Sequence, residues 1–100
     1  MKKLVRDNIP NIIKSKGEKA EFYKAKDKEY WTALKDKLKE ETNEFIKDSS
    51  KEEFADILEV IDAIGKFKKF NKEEIKKIKN RKSKEKGKFD KRFILKNIKL

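Results

Sequence analysis

Apolar side chains recur at helical spacing along most of this chain. Leu34, Leu38 and Phe45, with Glu41 between the last two, follow one another at 4, 7 and, counting the acid, 3 and 4 residues, so all share one helix face. Glu41 thus interrupts an apolar stripe. Asp27 suits the N-cap of this helix, Tyr30 and Trp31 extend the stripe as core residues, and the pattern fades near Lys47. A second helix is expected from Lys51, behind Ser50, to about Phe70. Its stretch from Phe54 to Gly65 holds eight apolar residues, one glycine, and only Asp56, Glu59 and Asp62 as polar members, the composition of a largely buried helix.

Weaker patterns flank this pair. Pro10 can open a short helix through Ile12 and Ile13 that stops near Gly17. Asn71 with Glu74 marks the start of a helix from Lys72 toward Lys86, with Ile75 and Ile78 inward and Gly87 as its stop. Residues 3–6 and 21–25 read as short extended pieces that can pair as a minor β element near the N-terminus. The tail carries Ile94, Leu95, Ile98 and Leu100, and four aliphatics are expected to pack on their own domain or on a neighbouring subunit. The fold class is mainly α, an antiparallel helical bundle formed by one domain over residues 1–100.

Charge sharpens the picture of the central pair. Lys and Arg make up 30 of the 100 residues, yet none lies between Glu52 and Gly65. If the two helices pair antiparallel about a turn at 47–50, Glu41 faces Asp56 and Glu44 faces Glu53, each helix contributing an i, i+3 pair. Like charges this close repel by about 4 kcal/mol per pair at an effective dielectric near 20, so such a four-carboxylate box needs a counter-ion. Oxygen donors without His or Cys favour Mg²⁺ or Mn²⁺. Glu59 and Asp62 continue the ladder as further ligands, outer acceptors or partners for lysines of another subunit. The bland alternative is local: Glu53 completes a capping box with Ser50, and Glu44 pairs with Lys37 or Lys47 in solvent.

Residues 1–65 carry 14 basic and 15 acidic groups, whereas residues 66–100 carry 16 and 4. The basic half points to an anionic partner, whether a phosphate-rich small molecule, nucleic acid or a membrane surface. Cysteine is absent, so disulfides are excluded and a reducing cytoplasm is compatible. No apolar run reaches the length of a membrane span, so no membrane partner is expected. With 35% hydrophobic residues the core is thin, which favours oligomers.

Glu40, Glu41 and Glu44 followed by Glu53 and Asp56 resemble the EExxE and ExxD signatures of the all-α nucleotide pyrophosphohydrolases, a superfamily that includes MazG-like enzymes, phosphoribosyl-ATP pyrophosphohydrolase and dimeric dUTPases. LVRDNIP at 4–10 and GKFDKRF at 87–93 are similar to stretches of the small MazG-like and phosphoribosyl-ATP pyrophosphohydrolase-like members. Within LVRDNIP, an ion pair of Arg6 with Asp7 is expected to fix the entry to the first helix. The resemblance implies Mg²⁺-dependent cleavage of a nucleoside triphosphate between its α and β phosphates, giving a monophosphate and pyrophosphate. On this reading Glu41, Glu44, Glu53 and Asp56 hold the metal, Glu40 takes the proton of the attacking water, and Lys88 and Arg92 neutralise the outgoing pyrophosphate. The expected assembly is a homodimer or homotetramer. Phosphoribosyl-ATP is the alternative substrate, and a non-enzymatic basic nucleic-acid-binding module is the rival outside enzymes.

Overall fold

The computed structural model describes residues 2–99, which form four helices and no strand. They are α1 (Ile9–Ser15), α2 (Asp27–Asp48), α3 (Lys51–Phe67) and α4 (Lys72–Lys86). The mainly helical reading of the sequence holds. The chain divides into two compact units, Met1–Lys69 and Phe70–Leu100.

In the first unit α2 and α3 form an antiparallel hairpin. At its turn end Phe45 meets Phe54 with ring centroids 5.6 Å apart. At the opposite end Phe67 packs edge-on against Tyr30 at 5.2 Å and stacks on Trp31 at 6.0 Å. Lys68 and Lys35 lie over the Trp31 ring with Nζ 4.0 and 5.2 Å from its centroid, so the indole is occupied within the hairpin. Between these aromatic ends lie the two hydrophobic residues buried among the described ones, Leu34 (1% exposed) and Val60 (8%). Ile46 on α2 and Phe54, Leu58 and Ile61 on α3 remain exposed, so α3 carries more apolar surface than α2 covers.

The turn between the helices is two residues long. Ser49 takes the left-handed conformation (φ 53°) and its N–H donates to the Phe45 carbonyl at 2.7 Å, closing α2. Ser50 then caps α3: its Oγ accepts from the Glu53 N–H at 3.2 Å. Ser50→Ala should therefore cost about 1 kcal/mol. That loss lowers the melting temperature by about 4–8 °C in a domain of 60–100 residues, as thermal denaturation followed by circular dichroism can check.

Several sequence-based boundaries shift. Asp27 is the first residue of α2, and Lys26 occupies the cap position without a side-chain bond. α3 stops at Phe67, three residues early, where Lys68 and a positive-φ Lys69 redirect the backbone. The minor sheet does not form among the described residues. Instead of pairing with another strand, Lys3 and Arg6 reach carboxylates of α2 and α3, and Tyr23 donates its hydroxyl to Glu29 in the first turn of α2. That bond raises the Tyr23 pKa above its ordinary value, with burial and the Glu29 charge adding to it.

In the second unit α4 follows the expected pattern. Asn71 Oδ1 accepts from the Glu74 N–H at 3.0 Å, and Gly87 (φ 85°) ends the helix. Ile78 is half-buried and Ile75 exposed. Phe89, Phe93, Ile94, Leu95 and Ile98 are also exposed, so packing of the tail's aliphatics on their own domain is not seen for the described residues, and Leu100 lies outside them. No helix among the described residues is long and apolar enough to cross a membrane.

Candidate metal and phosphate site

The acids of α2 and α3 fall into two groups. The first lies beside the turn, where Glu44 and Asp48, one helical turn apart on α2, approach Glu53 in the first turn of α3. Each offers an oxygen, and these oxygens lie within 4.8 Å of one another. Glu44 and Asp48 are exposed and Glu53 is half-buried. No salt bridge reaches any of the three among the described residues.

Glu53 carries the strain of this arrangement. Its Oε2 is out of solvent and accepts no hydrogen bond. Burial pushes its carboxyl above the ordinary value of 4.5, and the neighbouring carboxylates of Asp48 and Glu44 push it further, while Ser50 pulls it down. Three carboxylates without a cation, one of them with an orphaned oxygen, fit a hard divalent ion such as Mg²⁺ or Mn²⁺.

The second group lies further along the hairpin. Glu41 and Asp56 both line a cleft of about 310 Å³ together with Glu59, Lys3, Arg6 and Lys37. Here cations from outside the 52–65 stretch arrive. Arg6 Nη2 donates to Asp56 Oδ1 at 2.6 Å. Lys37 Nζ lies 3.4 Å from Glu41 Oε1 and 3.3 Å from Glu40 Oε2, and Lys3 Nζ lies 3.8 Å from Glu40 Oε1. The expected pairing of Arg6 with Asp7 gives way to one with Asp56, which α3 brings to 2.6 Å from the Arg6 guanidinium across 50 positions of chain.

Of the four expected metal ligands, Glu44 and Glu53 come together, while Glu41 and Asp56 carry cationic partners. Asp48 was missed as a member of the acidic cluster; its signal was its position four residues after Glu44 in the last turn of α2. The partner of Glu41 was also legible, since Lys37 precedes it by four residues. Asp62 is exposed on α3. Lys88 and Arg92 belong to the second unit, where Arg92 has a positive φ of 59° and donates its N–H to the Phe89 carbonyl at 3.3 Å. Comparison with protein-family models, curated proteins and solved structures found no match to this chain.

Proposed function

We propose that the chain is a nucleoside triphosphate pyrophosphohydrolase of the all-α, MazG-like type, cleaving a triphosphate to a monophosphate and pyrophosphate with Mg²⁺ or Mn²⁺. The observation that carries this reading is the uncompensated cluster of Glu44, Asp48 and Glu53 with its orphaned Oε2, next to Glu41 and Asp56 on the same two helices. A divalent ion held there supplies Lewis acidity toward phosphate oxygens and lowers the pKa of a bound water.

The chain's own residues divide the work. Glu44, Asp48 and Glu53 provide the ion's oxygen donors, with Glu41 and Asp56 one turn away on each helix. Glu40 accepts the proton of the attacking water, and its two oxygens face Lys3 and Lys37. The absence of His and Cys leaves no side chain of those types for covalent attack, which favours direct hydrolysis. Exposed Ile46, Phe54, Leu58 and Ile61 support a homodimer or homotetramer in which α3 is covered.

A panel of nucleoside triphosphates and phosphoribosyl-ATP, incubated with Mg²⁺ and analysed for both products, tests the proposal. Monophosphate and pyrophosphate in equal amounts, lost on chelation, are expected. The second reading, a nucleic-acid-binding module, is favoured by α4, whose exposed surface is rich in lysine. Duplex DNA binding that weakens steeply with salt, together with no hydrolysis across the panel, would establish it instead.

A further inference from the structure

Each compact unit leaves apolar side chains uncovered, and their surroundings carry opposite charge. On α3, Phe54, Leu58 and Ile61 are exposed in a stretch whose charged residues from 52 to 62 are all acidic. On the second unit, KFDKRFILKNIK at 88–99 holds five large apolar residues, each 75–97% exposed, among five cations and one acid. α4 adds six cations and no acid between Lys76 and Lys84. No cation of residues 70–99 lies within 4.0 Å of a carboxylate among the described residues, so no ion pair neutralises this charge.

A partner for the 88–99 segment must be anionic and must also take up aliphatic side chains. Duplex nucleic acid meets the first condition alone. A single strand can stack bases on Phe89 and Phe93, but Ile94, Leu95 and Ile98 have no flat face to offer it. On a second copy of the chain, the three half-covered residues of α3 present too little apolar surface to cover five nearly bare ones. An anionic bilayer meets both conditions, since its headgroups attract Lys and Arg while the acyl boundary beneath them takes apolar side chains. The same surface repels α3, whose apolar residues stand among carboxylates.

We propose that residues 88–99 dock on an anionic lipid surface, with the five apolar side chains entering the boundary between headgroups and acyl chains and the cations lying among the lipid phosphates. α4 contributes charge to the attraction and little apolar surface, because its lysines outnumber Ile75 and Ile78. Twelve residues are too few to span a bilayer, so the contact lies on the surface. The lack of a membrane-spanning helix among the described residues bears on insertion through a membrane and not on this contact. The inference is independent of the hydrolase reading.

Co-sedimentation of the full chain with vesicles tests it, using phosphatidylcholine alone and an equal mixture of phosphatidylcholine and phosphatidylglycerol. Binding to the mixed vesicles should be about tenfold or more tighter than to the neutral ones and should weaken as salt rises. Replacing Ile94→Ser and Leu95→Ser together, at exposed positions, should leave the melting temperature unchanged and weaken mixed-vesicle binding by about tenfold or more. On the unaltered protein, hydrogen exchange followed by mass spectrometry should show vesicle-dependent protection over residues 88–99 and none over α3. Equal binding by the wild type and the double variant overturns the proposal, since charge alone then holds the contact. Protection of α3 in place of the tail overturns it too. So does failure to bind mixed vesicles, whether the chain instead binds a single-stranded oligonucleotide or forms an oligomer that the double variant breaks.

Discussion

Glu53→Gln is expected to lower Mg²⁺-dependent pyrophosphate release by about 10²- to 10³-fold, the size of losing a few kcal/mol of metal-assisted stabilisation at roughly 1.4 kcal/mol per tenfold. The same substitution should raise the melting temperature of the metal-free protein. Burial and two neighbouring acids disfavour the ionised Glu53 carboxyl in the folded state, so its pKa there lies above the unfolded value. A group raised in this way lends its full stability below its ordinary pKa and loses it as pH climbs through the folded value. The melting curves of wild type and Glu53→Gln should thus converge near pH 4 and separate toward pH 7, with the variant higher. Saturating Mg²⁺ should reverse the order at pH 7, because the ion stabilises only the intact set of carboxylates. Parallel curves at every pH, with or without Mg²⁺, would remove Glu53 from any metal site.

Leu34→Ala should be the most damaging substitution for the fold. Leu34 is the one large side chain among the described residues fully withdrawn from solvent, on the face α2 turns toward α3. Truncating a buried leucine costs about 2–5 kcal/mol through lost transfer energy and the cavity left behind. A domain of this size has a total stability of about 5–15 kcal/mol, so the loss is a large share of it. Urea unfolding followed by helical circular dichroism should show a markedly lower midpoint. Phe89→Ala, at a residue 97% exposed, should change stability by no more than about 0.5 kcal/mol. Equal midpoints for the two variants would mean that the hairpin core does not hold the molecule together.

The helices were legible because their signals are local. Ser50 and Asn71 stand three residues before the glutamates whose N–H groups they cap, and Gly87 takes the backbone conformation that ends α4. The pairing of α2 with α3 followed from two apolar stripes and a short turn, and the Phe45–Phe54 and Tyr30–Phe67 contacts follow that antiparallel course. The distribution of charge around the acids was harder to read. The gap in basic residues from 52 to 65 is real in sequence, but Arg6 closes onto Asp56 from 50 positions away, a contact set by tertiary packing. Asp48 escaped notice because the antiparallel argument matched acids by facing position, whereas the left-handed Ser49 and the start of α3 bring the end of α2 beside Glu53. Residues 3–6 and 21–25 read as extended pieces able to pair, although neither is strongly β in composition. Their ion pairs and the Tyr23 hydroxyl tie them to helices instead.

The two-residue link at Ser49 and Ser50 also bears on the order in which the hairpin forms. Glu44, Asp48 and Glu53 are separated by fewer than ten positions, so bringing them together closes only a short loop, and such closures cost little entropy. Proteins dominated by nearby contacts fold in microseconds to milliseconds. The acidic corner can thus assemble while the nascent chain is still emerging, ahead of the C-terminal basic helix, and if it holds the proposed metal, an ion captured at that moment would act as a template for the hairpin.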